Sequence, residues 1–224
     1  MNSAIKFTYR LLSRRSLQST NLTLLVLCLG LLLPSHSSST VIESLSINEV
    51  VAQSTLIFSG DVTAVRVEQA GPNKLVTIIT FDNIEIIKGA HTEQQLQLRF
   101  LGGTLGNRTL QVVGSRYPRH GESGIYFVES LSAGLINPLL GWSQGHYLIQ
   151  ADENNQGHIT TVEGKPVLGI SPQAAEVGAP ALVPPPISPE PNSRGIITGE
   201  PQQGMSRGMR PESFIDQIQQ MLNP

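Results

Sequence analysis

Between Leu56 and Val162 one apolar stretch follows another with only turn residues between them, and no ten-residue segment there carries a helical period. Parallel strands need a crossover of a dozen or more residues, usually a helix, so this stretch is expected to fold as antiparallel strands with short connections. The strand candidates are Leu56–Glu68, Val76–Lys88, Gln95–Phe100, Thr109–Val113, Gly124–Ser130, His146–Ala151 and His158–Val162. Gln95-Leu96-Gln97-Leu98-Arg99-Phe100 alternates strictly, the mark of a strand with one buried face. Gly60-Asp61 interrupts the first strand and marks a bulge or bend. Turns are supplied by Gly71-Pro72-Asn73, Lys88-Gly89, Gly102-Gly103 and Asn154-Asn155-Gln156-Gly157. The fold expected is mainly β: an antiparallel meander or Greek key over 41–170, closed as an OB-like barrel or packed as a small sandwich. The long, bent first two strands favour the barrel, whose corners require bends.

Both flanks of this zone read differently. Ser46 and Glu49 have capping-box spacing, with Leu45 and Val50 at the staple positions, so a short N-terminal helix through Ala52 is expected. Ten of the fifteen prolines lie at or beyond Pro172. With Pro184-Pro185-Pro186 and few aromatics, residues 171–210 read as a disordered Pro/Gly-rich linker. A short amphipathic helix is expected over 211–222, because Phe214, Ile218 and Met221/Leu222 share one face and Pro211 suits a first helical position. That face either docks on its own domain or fits a partner's groove.

The N-terminus reads as an address. Lys6, Arg10, Arg14 and Arg15 precede the uncharged run Leu22–Leu33, which Pro34 ends before the small residues Ser35 and Ser37. A basic region, a short apolar run and a small-residue cut site describe a signal peptide, here 1–37, and the run is well short of the roughly 20 residues of a spanning helix. The chain is therefore expected in the periplasm or outside the cell, with no membrane attachment after cleavage. Cleavage would remove Cys28, the single cysteine, and with it any disulfide or thiolate chemistry. It would also leave eleven Lys/Arg against seventeen Asp/Glu, a net charge of −6. That balance argues against nucleic acid as a partner.

No catalytic, cofactor-binding or metal-binding residue stands out. The Gly-rich run Arg99 to Gly106 lacks the Gly-Lys-Ser/Thr of a phosphate loop and reads as a turn. Asn107-Arg108-Thr109 matches a glycosylation sequon. His91, His120, His146 and His158 are scattered, and no serine sits in a Gly-x-Ser-x-Gly elbow. Trp142, the single tryptophan, lies in Gly141-Trp142-Ser143-Gln144-Gly145, and either anchors a partner or covers one end of the barrel. The reading is a non-enzymatic binding module with no cofactor, its candidate interaction residues being Trp142, Gln144, Arg99 and Arg108. An extracytoplasmic hydrolase with a Ser/His/carboxylate site assembled in space stands as the second reading.

Three stretches carry a resemblance: Ala52–Val65 (AQSTLIFSGDVTAV) with Ile86-Ile87-Lys88-Gly89, then LRFLGGTLGNRTLQVVG, then GWSQG. Over roughly 45–170 they resemble a family of uncharacterised exported bacterial proteins. That resemblance implies a protein partner, a secreted matrixin-type metalloprotease. The Ala-x-Ser-x-x-Ile-x-x-Gly-x-Val start is also similar to the first barrel strand of netrin-like modules, including the tissue inhibitors of metalloproteinases. Those inhibitors place an N-terminal cysteine on the catalytic zinc and are stapled by disulfides; without Cys28 this chain has neither, so the resemblance implies a shared barrel and not that inhibitory chemistry.

Overall fold

The structure, a computed structural model, describes residues 44–132, 134–171, 192–200 and 208–223. The stretch read as a signal peptide lies outside the described residues. Helix α1 (Ile47–Gln53) precedes β1 (Leu56–Gly71), β2 (Lys74–Lys88), β3 (Leu96–Leu101), β4 (Gly103–Leu105), β5 (Arg108–Leu110) and β6 (Ser123–Val128). A 3-10 turn at Trp142–Gly145 leads into β7 (His146–Ala151), β8 (Gly157–Thr161), β9 (Val167–Ile170), β10 (Ile196–Thr198) and helix α2 (Pro211–Leu222). Six strands form one antiparallel sheet in the order β3-β2-β1-β6-β7-β8, while β4–β5 and β9–β10 form two small ribbons. Among the described residues β3 and β8 are the edges of the large sheet, so its strand ladder does not close on itself. The fold is thus mainly β and antiparallel, as the strand pattern requires.

β1 and β2 are three times the length of an ordinary short strand, and they stay paired by bending. Their register slips at Ile57/Phe58, Ser59/Asp61, Val62/Ala64 and Gln69/Gly71, irregularities of the kind that let paired strands bend and twist. The Gly60 break read from the sequence is one of them. Only the first part of β1, Leu56 to Asp61, also pairs with β6, in register from Val128 to Ser123. There the sheet is buried on both faces. Leu56, Phe58, Tyr126 and Val128 point one way, into a core shared with Ile79, Phe81, Leu98 and Phe100 of the same bent sheet. Ile57, Ile125 and Phe127 point the other way, against Ile47, Val50 and Val51 of α1 and Phe214 and Ile218 of α2. Alternation at period 2 sends neighbouring residues to opposite cores.

Two glycines let the aromatic residues of the first core lie flat. Phe58 pairs with Tyr126 across the β1–β6 ladder, and two positions along Gly60 pairs with Gly124. The Phe58 and Tyr126 rings stack with centroids 5.2 Å apart, and Phe81 meets Tyr126 edge-on at 4.8 Å. A Cβ on Gly124 would stand 2.6 Å from the Tyr147 carbonyl oxygen and 2.9 Å from Tyr126 Oη. The bare backbone is what gives the phenol its place.

The helices follow their sequence signals. Ser46 Oγ accepts the Glu49 amide at 3.2 Å while Glu49 Oε2 accepts the Ser46 amide at 2.6 Å, a complete capping box. That backbone hydrogen bond, ahead of the Ser46 hydroxyl and the Arg194 charge, holds the Glu49 carboxyl below its usual range. Phe214 and Ile218 of α2 are fully buried on this chain's own core, so α2 docks at home. The 171–210 linker needs a correction. Within it, Ile196–Thr198 is a strand paired with β9, and Arg194 exchanges backbone bonds with Leu45 and Ile47. The physical anchor is Ser193, whose buried hydroxyl lies 2.8 Å from Tyr147 Oη. The remainder of that stretch, 172–191 and 201–207, lies outside the described residues. The Gly102-Gly103 turn also moves: the reversal falls at Gly106-Asn107, between β4 and β5. Gly103, at φ 129°, instead lets the backbone press on β1 and β2, where a Cβ would meet Thr77 Oγ1 at 2.6 Å.

Gly124→Ala is expected to destabilise the fold by about 2 kcal/mol or more, because the added methyl displaces either the Tyr147 backbone or the Tyr126 ring. Urea unfolding checks this, and Gly169→Ala, where an added Cβ meets nothing within 4 Å and φ is not positive, should cost far less.

Candidate functional site

β3 is an edge strand, and its outer side is only partly covered. The Leu101 amide turns away from β2 and donates to the Ile136 carbonyl at 2.8 Å. In an antiparallel ladder alternate residues face the same side, so the Gln97 and Arg99 backbone groups face outward too. Among the described residues they have no backbone partner on that side. Between this edge and the 130–138 loop lies a recess of about 220 Å³. Leu131 and Ile136, both nearly half exposed, form its apolar rim. Lys74 and Arg99 supply its charge, neither is ion-paired among the described residues, and no carboxylate lines it. An open edge, an apolar rim and two unpaired cations together can add an extended, acidic segment as a further strand.

The structure separates the four residues singled out from the sequence. Arg99 lines the β3 recess. Arg108 sits on the β4–β5 ribbon and donates to the Pro72 carbonyl at the β1–β2 turn, a loop-to-loop tie. Gln144 is buried, and its Oε1 accepts the Leu45 amide at 2.7 Å, so it fastens the N-terminal segment to the 3-10 turn. Trp142 is half-buried with φ 60°, a left-handed conformation uncommon for a bulky side chain, and follows Gly141 at φ 58°. The ring lies beside Gly114 rather than at the β3 edge. Lys74 was not legible as a site residue. It joins Arg99 because the Val76–Leu101 pairing sets the tip of the β1–β2 hairpin beside the end of β3, a long-range register with no local signal.

The histidines divide by role. Both His158 nitrogens are engaged, Nδ1 with the Gly208 carbonyl at 2.8 Å and Nε2 with Asp152 Oδ2 at 3.3 Å, which fastens the entry to α2 against β8. His91 Nε2 lies 3.1 Å from the Gln95 carbonyl. His120 lines a shallow groove with Val65, Val67 and Arg119. His146 is buried under the first core, its ring 5.0 Å from that of Tyr126. Burial, reinforced by the Arg116 charge, pushes its pKa down to about 3. Among the described residues no group of three or more His, Cys, Asp or Glu is placed to hold a metal ion.

No protein-family model matches the chain, no curated protein matches it, and no solved structure matches it.

Two outcomes are expected. Gln144→Ala leaves the part-buried Leu45 amide without its acceptor and should cost about 1–3 kcal/mol in thermal unfolding, whereas Arg108→Ala, an exposed tie, should cost well under about 1 kcal/mol. The second concerns pH. His146 stays neutral in the folded chain while the unfolded chain takes up its proton below about pH 6.5. Stability should therefore fall from pH 6.5 towards 3, with this residue contributing a slope of about 1.4 kcal/mol per pH unit. Denaturant titrations of His146→Phe across that window should show the slope reduced by one proton.

Proposed function

We propose that this chain is an exported, non-enzymatic binding module that takes up an extended acidic segment of a protein partner along the open edge of β3. The observation that carries the reading is the pairing of a free strand edge with two unpaired cations, Lys74 and Arg99, in a recess without carboxylates. Backbone bonds to the edge would supply affinity, and the cations would select the partner's charge and steer its approach. The chain's own 172–191 segment is a poor occupant: it carries seven prolines, which cannot donate to a strand ladder.

An OB-like barrel fits the same reading. β1 is shared between β2 and β6, and the stretch from Ile136 to Leu140 bonds to Leu101 on one side and to Phe127 on the other. That stretch would stand between β3 and β6 as a loop, where a complete barrel has a strand. The basic and apolar N-terminal segment supports export, and the resemblance to exported bacterial proteins and netrin-like modules makes a secreted metalloprotease the partner proposed. The contact would be made by a strand edge, since an N-terminal cysteine on zinc is not on offer.

Fluorescence anisotropy with labelled peptides tests the edge. A peptide of alternating Val and Glu should bind, and its Val/Lys counterpart should not. Arg99→Glu with Lys74→Glu should weaken the acidic peptide about tenfold or more, equivalent to about 1.4 kcal/mol, and added salt should do the same in the parent chain. Equal binding of both peptides, or no effect of the double reversal, would overturn the reading. The partner is tested separately: addition of the chain should change the peptidase rate of a secreted matrixin-type metalloprotease, and an unchanged rate removes that enzyme from the proposal.

A further inference from the structure

The β3 recess leaves unexplained a group of polar atoms inside the domain. Tyr126 Oη, both ring nitrogens of His146, Thr160 Oγ1 and Arg116 Nε are all buried and without a hydrogen-bond partner. They belong to one place. Tyr126 and His146 are directly paired across β6 and β7. Two residues along, Gly124 pairs with Leu148, and Leu148 pairs with Thr160 of β8, so all of these share one face of the sheet. Arg116 comes over that face from the loop before β6, and its guanidinium donates to the carbonyl of Val162, just beyond β8.

Protein groups nearby do not supply the missing partners. Asp61 already accepts from Ser123 Oγ and, at 2.7 Å, from Asn83 Nδ2. Glu122 accepts from Arg116 Nη2 at 3.4 Å and from the Arg119 amide at 2.8 Å. Leaving one such buried group unsatisfied is costly, and native interiors leave few of them. Five in one neighbourhood call for a guest. The guest must both donate and accept: the neutral imidazole offers one N–H and one lone pair, each hydroxyl offers both, and the guanidinium Nε–H only donates. Charge selects further. Asp61 and Glu122 set two negative charges against the single positive charge of Arg116, which disfavours an anion. The room is small: a Cβ on Gly124 would already stand 2.9 Å from Tyr126 Oη.

We propose that Tyr126, His146, Thr160 and Arg116 form an internal hydration site, in which at least one enclosed water bridges the β6–β7–β8 face to the loop that carries Arg116. The site makes the hydroxyl of Tyr126 a bonded group in an otherwise aromatic cluster.

A crystal structure of the exported chain, with melting curves of the parent and of Tyr126→Phe, tests this. Tyr126→Phe keeps the ring and its stacking, so it should fold. The expected result is density for a water within hydrogen-bond reach of Tyr126 Oη and a His146 nitrogen, with Tyr126→Phe melting several degrees lower. An empty site overturns the proposal, and so does a Tyr126→Phe variant that melts at or above the parent. Density for a molecule larger than water overturns it as well. Formate added to the melts separates the anion case: the site as proposed is indifferent to it, and a melting temperature that rises with formate and loses that rise in Tyr126→Phe would refute the assignment.

Discussion

The stacked pair of Phe58 and Tyr126, seated over the opposed glycines Gly60 and Gly124, is the contact on which the rest of the structure depends. It lies where β1 is held by β2 and β6 at once, so both faces of that short length of sheet are buried. Ring pairs of this kind add about 0.5–1.5 kcal/mol beyond the area they bury. Their larger effect is geometric. Phe81 closes on the pair from β2, which requires β2 to fold over β1, and that fold brings β3 and the Leu96, Leu98 and Phe100 side chains onto the same core.

Curvature at this contact also determines what is left open. A sheet that bends over its own aromatic core still has edges that no further strand pairs. β3 is one of them, and its outer side meets only a loop. Edge strands invite further pairing, and proteins protect them with charge or cover when pairing is unwanted. Lys74 and Arg99 are such charges, set beside the exposed Leu131 and Ile136. On the opposite face α1, α2 and the 192–200 segment seal the second core, so the two surfaces of the sheet do different work.

Polar groups follow the same division. Some fasten segments: Gln144 to Leu45, His158 to Gly208, Ser193 to Tyr147. Beneath the Arg116 loop others converge without partners, and burial there keeps His146 neutral through the physiological range. The tyrosines obey the same rule, since burial raises the pKa of Tyr126 and of Tyr147 well above the usual phenol value.

Local order was legible in the amino-acid sequence by itself. Strict alternation from Gln95 to Phe100 declared a half-buried strand, Ser46 and Glu49 declared a helix start, and the spacing of Phe214 and Ile218 declared the buried face of α2; each signal acts over a few residues and needs no distant partner. What the tertiary structure alone decided is which distant residues meet. Ile196–Thr198 reads as linker because prolines flank it, and it is a strand because it pairs with β9, beside Ser193, whose hydroxyl meets Tyr147 46 positions away. Gln144 looked like a partner contact and is a buried clamp. Lys74 and Arg99 share a recess only because β2 and β3 pair in one register among several that composition would allow. The physical reason is the same in each case. A period or a cap is encoded in the few residues that form it, whereas strand register is fixed by the packing of a whole face, here the aromatic core over Gly60 and Gly124.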